Sequence, residues 1–403
     1  MLEVVVVGGG GAGLVAALSA AELGARVTVL EATSGCTGNT ALSTGMLPAA
    51  GTRLQSEAGV DDSPELMLRD ILARHSGDCD LAVATAMCRR SAETVEWLDR
   101  ICPLELETSF LYPGMSVARM HRPRGGYGAE LMVALAAAAG GKVEIRFRQR
   151  VKRLPEADAV ILAADGFGGN PEWVRKYLPA MAGAPFFGHP ANDGSGIELA
   201  AAAGAELAFM DAYQGHASVA DDGGPLGWVI FGNGGILVDS KGHRVTDERR
   251  GYSACAEDVA RLPRHEAWAV FDAATLARSE VARVERIRDL GYLRDTSHLG
   301  PALEATLAAT GRTWELPIHS VRVRGGLFHT QGGARVDTDG RALQPDGLPI
   351  PGLFCAGGTA AGISGHGAAG YLAGNGLLSA LVLGRSAGLA AAGRAQPPVS
   401  IPI

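Results

Sequence analysis

The stretch LEVVVVGGGGAGLVAALSAAELGARVTVLE, residues 2–31, decides the fold of this chain. Its first part, Val4–Val7, is an unbroken β-branched run, which is typical of a buried parallel strand. Gly8, Gly10 and Gly13 follow in the spacing G-x-G-x-x-G, where the strand turns into a helix. Glycines at such a turn allow the backbone to touch a pyrophosphate, and the positive end of the helix dipole favours the charge of that group.

The rest of the stretch completes a βαβ unit. The helical pattern ends at about Leu23, Gly24 stops it, and the run RVTVL predicts the next strand. Glu31 follows that strand, eighteen residues after Gly13, where an acidic side chain binds the ribose hydroxyls of a dinucleotide. Strand, glycines, helix, strand and acid in this order predict a dinucleotide-binding fold far more specifically than the glycines alone.

Three further stretches favour FAD over NAD. GCTGNTALSTGM (35–46) is a polar, glycine-rich loop directly after the acidic residue, where an NAD-binding domain usually enters another helix. ADAVILAADGFGGNPEW (157–173) predicts a strand that ends in glycines, preceded by a predicted hairpin at 143–154. DGLPIPGLFCAGGTAAGISG (346–365) predicts another such strand. Because ligands bind beyond the carboxyl ends of these strands, both ends of the chain are expected to build one site for a long cofactor.

Composition narrows the classes of protein and partner. The 403 residues are 47% hydrophobic and 20% charged with a net charge of −7, which indicates a well-buried globular protein. No basic run is present, so nucleic acid is not an expected partner. No secretory leader and no unbroken apolar run of about 20 residues is found, so we expect a soluble, cytoplasmic protein without a membrane span. The scattered cysteines contain no CxxC, which predicts reduced thiols and no metal site.

The stretch SGHGAAGYLAGNG, residues 364–376, holds five glycines directly before a helix-like run. Glycine weakens the start of a helix, so several glycines are expected there only where the absence of side chains is useful. We therefore expect a bound group very close to this backbone. One large polar residue, Tyr371, stands among the glycines.

Several motifs resemble the flavoprotein family of fumarate reductase and succinate dehydrogenase, which also contains ketosteroid dehydrogenases, urocanate reductases and tricarballylate dehydrogenases. The resemblance covers nearly the whole chain and rests on GNTALSTG, ILAADGFGGNPEW, YQGHAS, NGGILVDSKGHRVTDE, FHTQGGARVD and GLFCAGGTAAG…LAGNGLLSALVLGR. It implies an α/β fold: a Rossmann-like FAD-binding domain of the glutathione reductase type, residues 1–212 and 328–403, with an inserted α+β cap domain at 213–327.

The resemblance also implies the residues that hold FAD. They are Gly8, Gly10, Ala12, Gly13, Glu31, Ala32, Gly38, Asn39, Thr40, Ser43, Gly45, Ala164, Asp165, Gly166, Gly358, Gly374, Asn375 and Leu377. The N-terminus of the last helix, near Asn375–Leu377, would face the pyrimidine end of the flavin and stabilise its anionic reduced form. Membrane-bound members attach FAD through a histidine in the second loop. This chain has Asn39 there, so non-covalent FAD is expected.

Family chemistry moves a hydride between flavin N5 and a carbon of an activated C–C or C=C bond. It needs a proton donor, a carbonyl or carboxylate clamp and positioning histidines. His329 in FHTQGG and His216 in YQGHAS, with Gln214 nearby, match the substrate-binding histidines of the family. A histidine can serve as a neutral donor or as a cation, since small shifts decide its charge. His319 stands where many relatives carry an aromatic residue.

Two positions depart from fumarate reductases, which use an arginine as proton donor and another as carboxylate clamp. Tyr252 falls at the place of the donor, and a local shift in register would put Arg249 or Arg250 there instead. Tyr371 falls at the place of the clamp, and a tyrosine lacks both the charge and the bidentate fork of arginine. Both changes resemble ketosteroid-type dehydrogenases, in which tyrosines act as acid and carbonyl clamp. Two aromatic pocket-wall residues are the alternative interpretation.

The leading hypothesis is an FAD-dependent enzyme that desaturates a ketone or reduces an enone, with Tyr252 as acid and His329 and Tyr371 on the carbonyl. One alternative is a fumarate-reductase-like enzyme for a carboxylate substrate, with Arg249 or Arg250 as donor and Arg322 or Arg324 in the clamp. Another is a non-catalytic flavin-binding protein. The expected partners are a small carbonyl-containing substrate and a separate electron donor or acceptor, because no second dinucleotide fold is evident for a nicotinamide.

Overall fold

A computed structural model describes residues 1–75, 77–279 and 282–393. The end of the predicted 328–403 segment, residues 394–403, lies outside the described residues. The chain forms two compact units. The first contains Met1–Tyr177, Gly188–Tyr213 and the chain from His329 onward, and the second contains Leu178–Phe187 and Gln214–Phe328. Residues 178–187, expected from the sequence in the FAD-binding segment 1–212, thus belong to the second unit.

The strands follow one another along the chain as β1 (Glu3–Val7), β2 (Arg26–Leu30), β3 (Leu47–Pro48), β4 (Leu104–Glu107), β5 (Met120–Pro123), β6 (Glu144–Arg146), β7 (Ala159–Leu162), β8 (Leu207–Ala208), β9 (Tyr213–Ala220), β10 (Ile236–Val238), β11 (Glu266–Asp272), β12 (Ile318–Thr330), β13 (Gly333–Ala334), β14 (Arg341–Leu343) and β15 (Pro349–Cys355).

The helices are α1 (Gly11–Glu22), α2 (Gly38–Leu42), α3 (Arg53–Glu57), α4 (Pro64–His75), α5 (Leu81–Asp99), α6 (Gly128–Ala139), α7 (Pro171–Tyr177), α8 (Ser195–Ala202), α9 (Val229–Gly232), α10 (Ala256–Ala260), α11 (Ala273–Arg278), α12 (Ala282–Asp289), α13 (Ala302–Ala309), α14 (Asn375–Leu377) and α15 (Leu383–Ala391). A π-helical segment, Leu378–Val382, joins the last two, and we call the continuous run 375–391 the last helix. Among the described residues, no helix combines the length and the apolar composition that a bilayer crossing requires.

A six-stranded sheet with the order β14-β15-β7-β1-β2-β6 organises the first unit. Strands β15, β7, β1, β2 and β6 run parallel, and β14 pairs antiparallel with β15. The apolar run of β1 occupies the middle of this sheet, where Val4, Val6 and Val7 are buried, as is typical of an inner parallel strand. The carboxyl ends of β1, β7 and β15 therefore meet at one edge, as the sequence analysis expected of its glycine-ended strands.

The predicted hairpin at 143–154 is wrong. Only Glu144–Arg146 is a strand, and it pairs parallel with β2 at the edge of the sheet. The chain after it bonds back to the loop that follows β2, since Arg148 N donates to Thr33 O and Gln149 N donates to Glu31 O, each over 2.9 Å. Alternating polar and apolar residues fit an edge strand as well as a hairpin, because one face of an edge strand is exposed.

The last helix packs against α1 through small residues. A Cβ at Gly384 would lie 2.8 Å from Ala12 O, and a Cβ at Gly388 would lie 2.2 Å from Ala16 O. This close approach joins the end of the chain to the helix that follows the first glycine turn. The two segments that sequence analysis assigned to one site are thus packed side by side.

A four-stranded sheet of order β10-β11-β12-β9 forms the second unit. Strand β11 pairs antiparallel with both β10 and β12. Buried side chains such as Trp228, Phe271 and Val321 belong to one apolar cluster of this unit, against which Tyr252 packs.

Candidate active site

The first glycine turn leaves backbone open where a pyrophosphate would lie. Gly8 has φ +109°, and a Cβ there would lie 2.3 Å from Ala163 O. A Cβ at Gly13 would lie 1.9 Å from Gly8 O, so this glycine allows helix α1 to pack against the turn. A Cβ at Gly10 would meet no protein atom within 4 Å. Two glycines therefore serve the fold, and the third faces open space at the start of a helix.

Glu31 is buried at the end of β2 and is held from two sides. Its Oε2 accepts a hydrogen bond from Gly9 N at 2.7 Å, and its Oε1 accepts from the backbone and hydroxyl of Thr33, both at 2.7 Å. These bonds fix the carboxylate beside the glycine turn. Oε2 keeps acceptor capacity for a ribose hydroxyl, since a carboxylate offers about four lone-pair sites and these bonds use three of them. Ala32 follows it and is half-buried.

The predicted polar loop at 35–46 contains the short helix α2, which the sequence analysis missed. Gly38 and Gly45, one at the start of that helix and one after it, have φ +72°. Thr40 lies against the first turn, because a Cβ at Gly11 would approach its Oγ1 to 2.5 Å. Ser43 Oγ donates to Thr40 O at 2.7 Å and accepts from the Gly45 amide at 3.0 Å.

Asn39 lies within α2 and is anchored through one atom of its amide. Its Oδ1 accepts from His189 N at 2.7 Å. Its Nδ2 is buried and has no hydrogen-bond partner among the described residues. A buried amide nitrogen without a partner is costly, so a ligand acceptor at this place fits the side chain.

The ends of β7 and β15 meet at a second glycine-rich junction. Asp165 has φ +64°, which is unusual for a residue other than glycine, and its Oδ1 accepts from Gly166 N at 2.8 Å. A Cβ at Gly358 would lie 2.6 Å from that Oδ1, and the Cα of Ala164 lies beside Gly8. The junction brings three sequence-distant backbone segments to the carboxyl edge of the sheet.

The last helix begins in contact with this region. Gly374 precedes it with φ +84°, and Leu377 is half-buried in its first turn. Asn375 Oδ1 and Ser379 Oγ are buried, and neither has a hydrogen-bond partner in the described part of the chain. Open backbone at the first turn and buried, unpartnered polar atoms at Asn39, Asn375 and Ser379 fit a long polar cofactor. FAD has the phosphates, hydroxyls and ring amides that these groups can bind.

His329 and Tyr371 lie together at the N-terminus of the last helix. Their ring centroids are 5.5 Å apart in an edge-to-face arrangement, and Gly376 N donates to Tyr371 Oη at 3.5 Å. A Cβ at Gly376 would lie 2.8 Å from His329 Nε2, so only glycine allows the backbone to pack this closely against the ring edge. Burial lowers the pKa of His329, although the nearby Asp165 carboxylate opposes this shift. The imidazole is therefore neutral at pH 7.

His216 and Tyr252 form a second pair, in the second unit. Their rings stack with centroids 4.7 Å apart and an angle of 16° between their planes. Trp228 lies edge-on to Tyr252, and Phe328 lies 5.5 Å from His216. Burial lowers the pKa of His216 to about 3, and its Nδ1 accepts from Ser218 N at 3.3 Å. The histidine is neutral, and its neighbours here are aromatic.

The arginines of the alternative hypothesis pair with carboxylates of the second unit. Arg249 has an 89% exposed side chain and lies 2.7 Å from Asp247. Arg250 pairs with Asp258 at 2.7 Å. The other two form comparable pairs, Arg322 with Asp221 at 2.8 Å and Arg324 with Glu266 at 3.4 Å. His319 lies on β12 opposite Phe271.

The side chain of one residue in the FHTQGG motif was not predicted from the sequence to contact the site. Gln331, two residues after His329, directs its Nε2 at His329 Nδ1 over 3.2 Å. Its position in FHTQGG was visible, but the contact is not, because the motif does not specify which side chains turn inward. Trp228 and Phe328, whose rings contact Tyr252 and His216, were not singled out either, since such aromatic residues look like ordinary core residues in a sequence.

The chain resembles proteins of known activity over nearly its whole length. It matches the family model described as FAD binding domain over residues 3–155 and 129–377. It is 29% identical to the fumarate reductase (cytochrome) of Shewanella frigidimarina, covering 97% of this chain and 77% of the relative. The open conformation of a flavocytochrome c3 fumarate reductase superposes with a TM-score of 0.81 at 27% identity, over 97% of this chain and 78% of the other.

A second solved structure superposes almost from end to end. The 3-ketosteroid-delta4-(5alpha)-dehydrogenase from Rhodococcus jostii RHA1, in complex with 4-androstene-3,17-dione, has a TM-score of 0.75 at 27% identity. The match covers 98% of this chain and 97% of that one. The glycine turn, the buried acid, the converging strand ends and these matches agree: the chain belongs to the FAD-binding flavoprotein family of fumarate reductase and succinate dehydrogenase, and is an FAD-dependent oxidoreductase.

Proposed function

We propose that the enzyme acts on a carbon–carbon bond next to a ketone or other carbonyl, as an enone reductase or a ketone desaturase. When bound, FAD supplies the site at N5 that gives or accepts the hydride. The observation that carries the proposal is the pair of uncharged hydrogen-bonding side chains, His329 and Tyr371, at the start of the last helix.

A neutral pair suits a carbonyl better than a carboxylate. The oxygen of an enone gains negative charge as hydride arrives at the conjugated carbon, and preorganised neutral donors stabilise that charge. A carboxylate carries its full charge from the beginning, and burying it against uncharged groups costs several kcal/mol unless a cation pairs with it. Tyrosine offers one hydroxyl in place of the two parallel donors of arginine. We therefore assign His329 and Tyr371 to the carbonyl oxygen.

Tyr252 is our candidate for the proton transfer. A tyrosine hydroxyl is a neutral acid that can give a proton to a carbon or take one from it through its conjugate base. The stack on His216 holds its ring. The low pKa of His216 keeps that imidazole uncharged, so it positions the tyrosine without acting as a second acid. The aromatic side chains around this pair suit a substrate with a flat apolar ring.

Three finer points belong to the same proposal. FAD is held non-covalently, since Asn39 stands where covalently linked relatives carry a histidine. The second unit serves as a cap for an FAD-binding domain of the glutathione reductase type. Electrons come from or go to a separate donor or acceptor, and the substrate is a small carbonyl-containing molecule.

A carboxylate substrate is the second candidate, favoured by the name of the Shewanella relative. It requires Arg249 or Arg250 as proton donor. Both arginines pair with carboxylates, and the side chain of Arg249 is almost fully exposed. An exposed, paired guanidinium is a poor acid because it stays protonated.

Ligand titration of the oxidised holoenzyme distinguishes the two substrates. We expect 2-cyclohexenone and simple phenols to perturb the flavin absorbance with saturation, and malonate and fumarate to leave it unchanged. Tyr371→Phe should weaken the phenol affinity about tenfold, given the worth of a buried hydrogen bond. Tyr177→Phe is the matched control, because Tyr177 lies in the first unit within an aromatic cluster with Phe167 and Trp173. Saturable binding of malonate alone would overturn the proposal.

A further inference from the structure

We propose that Gln331 is a positioning residue that fixes His329 in the tautomer whose proton is on Nε2. Gln331 Nε2 lies 3.2 Å from His329 Nδ1. Gln331 Oε1 accepts from Ser364 Oγ at 3.0 Å, and Ser364 Oγ accepts from Asn375 Nδ2 at 3.1 Å. These bonds form one chain from the first residue of the last helix to the histidine.

The donor and the acceptor in each of these hydrogen bonds follow from how many protons each group can donate. With the Gln331 amide in this orientation, its nitrogen faces His329 and can only donate, which makes His329 Nδ1 the acceptor. A hydroxyl has one proton to donate. Ser364 uses it in the hydrogen bond to Gln331, so in its hydrogen bond with Asn375 it is the acceptor. A neutral imidazole with an accepting Nδ1 carries its proton on Nε2. The competing tautomer would have to donate from Nδ1 to Thr330 O, which is farther away at 3.4 Å.

Burial and backbone bonds keep the amide in place. Gln331 is 3% exposed, and Ser364 and Asn375 are each 1% exposed, so water does not compete for these bonds. The backbone of Gln331 is fixed on both sides, since its N donates to Ala212 O at 2.8 Å and its O accepts from Gly362 N at 2.7 Å. Because the Gln331 amide is held in this position, its nitrogen stays directed at Nδ1 of the His329 ring.

The consequence for catalysis rests on the proposed function. His329 Nε2 is at the ring edge beside Gly376, and the His329 residue is half-buried, not fully enclosed. With the proton on Nε2, the neutral imidazole donates to a carbonyl oxygen of the substrate. With the proton on Nδ1, the same edge would offer a lone pair and would repel that oxygen. Gln331 thus acts through His329 and does not need to touch the substrate.

The direct test is the nitrogen NMR spectrum of the holoenzyme labelled with ¹⁵N-histidine. The signals of His329 are identified by their loss in His329→Asn. We expect a protonated Nε2 and an unprotonated Nδ1 in the unmodified enzyme. Gln331→Glu should reverse this pattern or protonate both nitrogens, because a carboxylate accepts from Nδ1. Gln344→Glu is the matched control in the turn between β14 and β15 and should leave the signals unchanged.

Kinetics provide a second readout on the same variants. Gln331→Leu should lower the rate of enone reduction about tenfold to a hundredfold with little change in KM, as expected when one oxyanion donor is misdirected. Gln331→Glu should also move an ionisation of the rate profile to higher pH, since a nearby carboxylate raises the pKa of a histidine. In the nitrogen spectrum of Gln331→Leu, which lacks the amide donor, the preference for a proton on Nε2 of His329 should be reduced, whereas a merely structural role for Gln331 would leave that preference unchanged.

The outcomes separate this inference from the proposed function. A proton on Nδ1 of His329 in the unmodified holoenzyme overturns the inference, whatever the substrate is. An unchanged histidine spectrum in Gln331→Glu, with flavin retained, overturns it as well. The predicted tautomer together with no reaction toward enones supports the role of Gln331 and rejects the carbonyl substrate instead.

Discussion

Replacing Tyr252 with phenylalanine removes the proposed acid and leaves its surroundings intact. The phenylalanine ring can keep the stack on His216 at 4.7 Å and the edge contact with Trp228. Only a hydroxyl is lost, so the free energy of unfolding should change by no more than about 1 kcal/mol. Positioned acids contribute about a hundredfold or more to turnover, which corresponds to roughly 2.7 kcal/mol of activation free energy. We expect kcat and kcat/KM to fall together by this factor.

The assay is rapid mixing of the photoreduced holoenzyme with 2-cyclohexenone, followed by the return of the oxidised flavin spectrum. Tyr292→Phe is the matched control, because Tyr292 packs on the same apolar cluster of the second unit. Its reoxidation rate should equal that of the unmodified enzyme. If Tyr252→Phe binds FAD and is reoxidised at a near-normal rate, Tyr252 is not the acid and the reasoning from its position fails.

Three further predictions concern cofactor, pH and charge. Gly10→Ala should weaken FAD binding about tenfold or more in fluorescence titrations while apoprotein stability is kept, whereas Gly13→Ala should destabilise the apoprotein by roughly 1–3 kcal/mol through its clash with Gly8 O. A histidine in the unfolded chain has a pKa of about 6.5, and burial lowers the pKa of His216, so the protein is fully stable above pH 6.5 and loses stability as the pH falls below it. From pH 7 to pH 5, the free energy of unfolding of the unmodified protein should fall by about 2 kcal/mol more than that of His216→Asn. Equal losses for the two proteins in chemical denaturation would contradict this. Arg249→Ala should leave enone reduction unchanged, and a large loss would favour the carboxylate substrate.

Local sequence signals predicted the first unit well. The β1 strand and the glycine turn into α1 are confirmed, because each constrains its own neighbourhood, and the ribose-binding role of Glu31 stays a prediction. The junction of the β7 and β15 ends also followed, since parallel strands place their carboxyl ends at one edge. The hairpin at 143–154 is wrong because the local sequence does not specify which strand Glu144–Arg146 pairs with, and that strand pairs with β2.

Less of the candidate site could be predicted from the sequence. His329 and Tyr371 are 42 positions apart in the chain, and only tertiary packing against the last helix brings their rings together. Gln331 lies beside His329 in sequence, yet its inward direction depends on Ser364 and Asn375. Segment 178–187 joins the second unit through Phe187 N and Leu327 O, which a linear scan does not connect.

The most direct test of the carbonyl substrate uses the unmodified holoenzyme, made anaerobic and photoreduced. It is mixed in parallel with 2-cyclohexenone and with fumarate, and the return of the oxidised flavin spectrum is recorded. We predict fast reoxidation by the enone and none by fumarate. Reoxidation by fumarate alone would contradict the roles assigned to His329, Tyr371 and Tyr252. It would indicate that an arginine is the proton donor instead. Reoxidation by neither would favour a flavin protein without this catalysis.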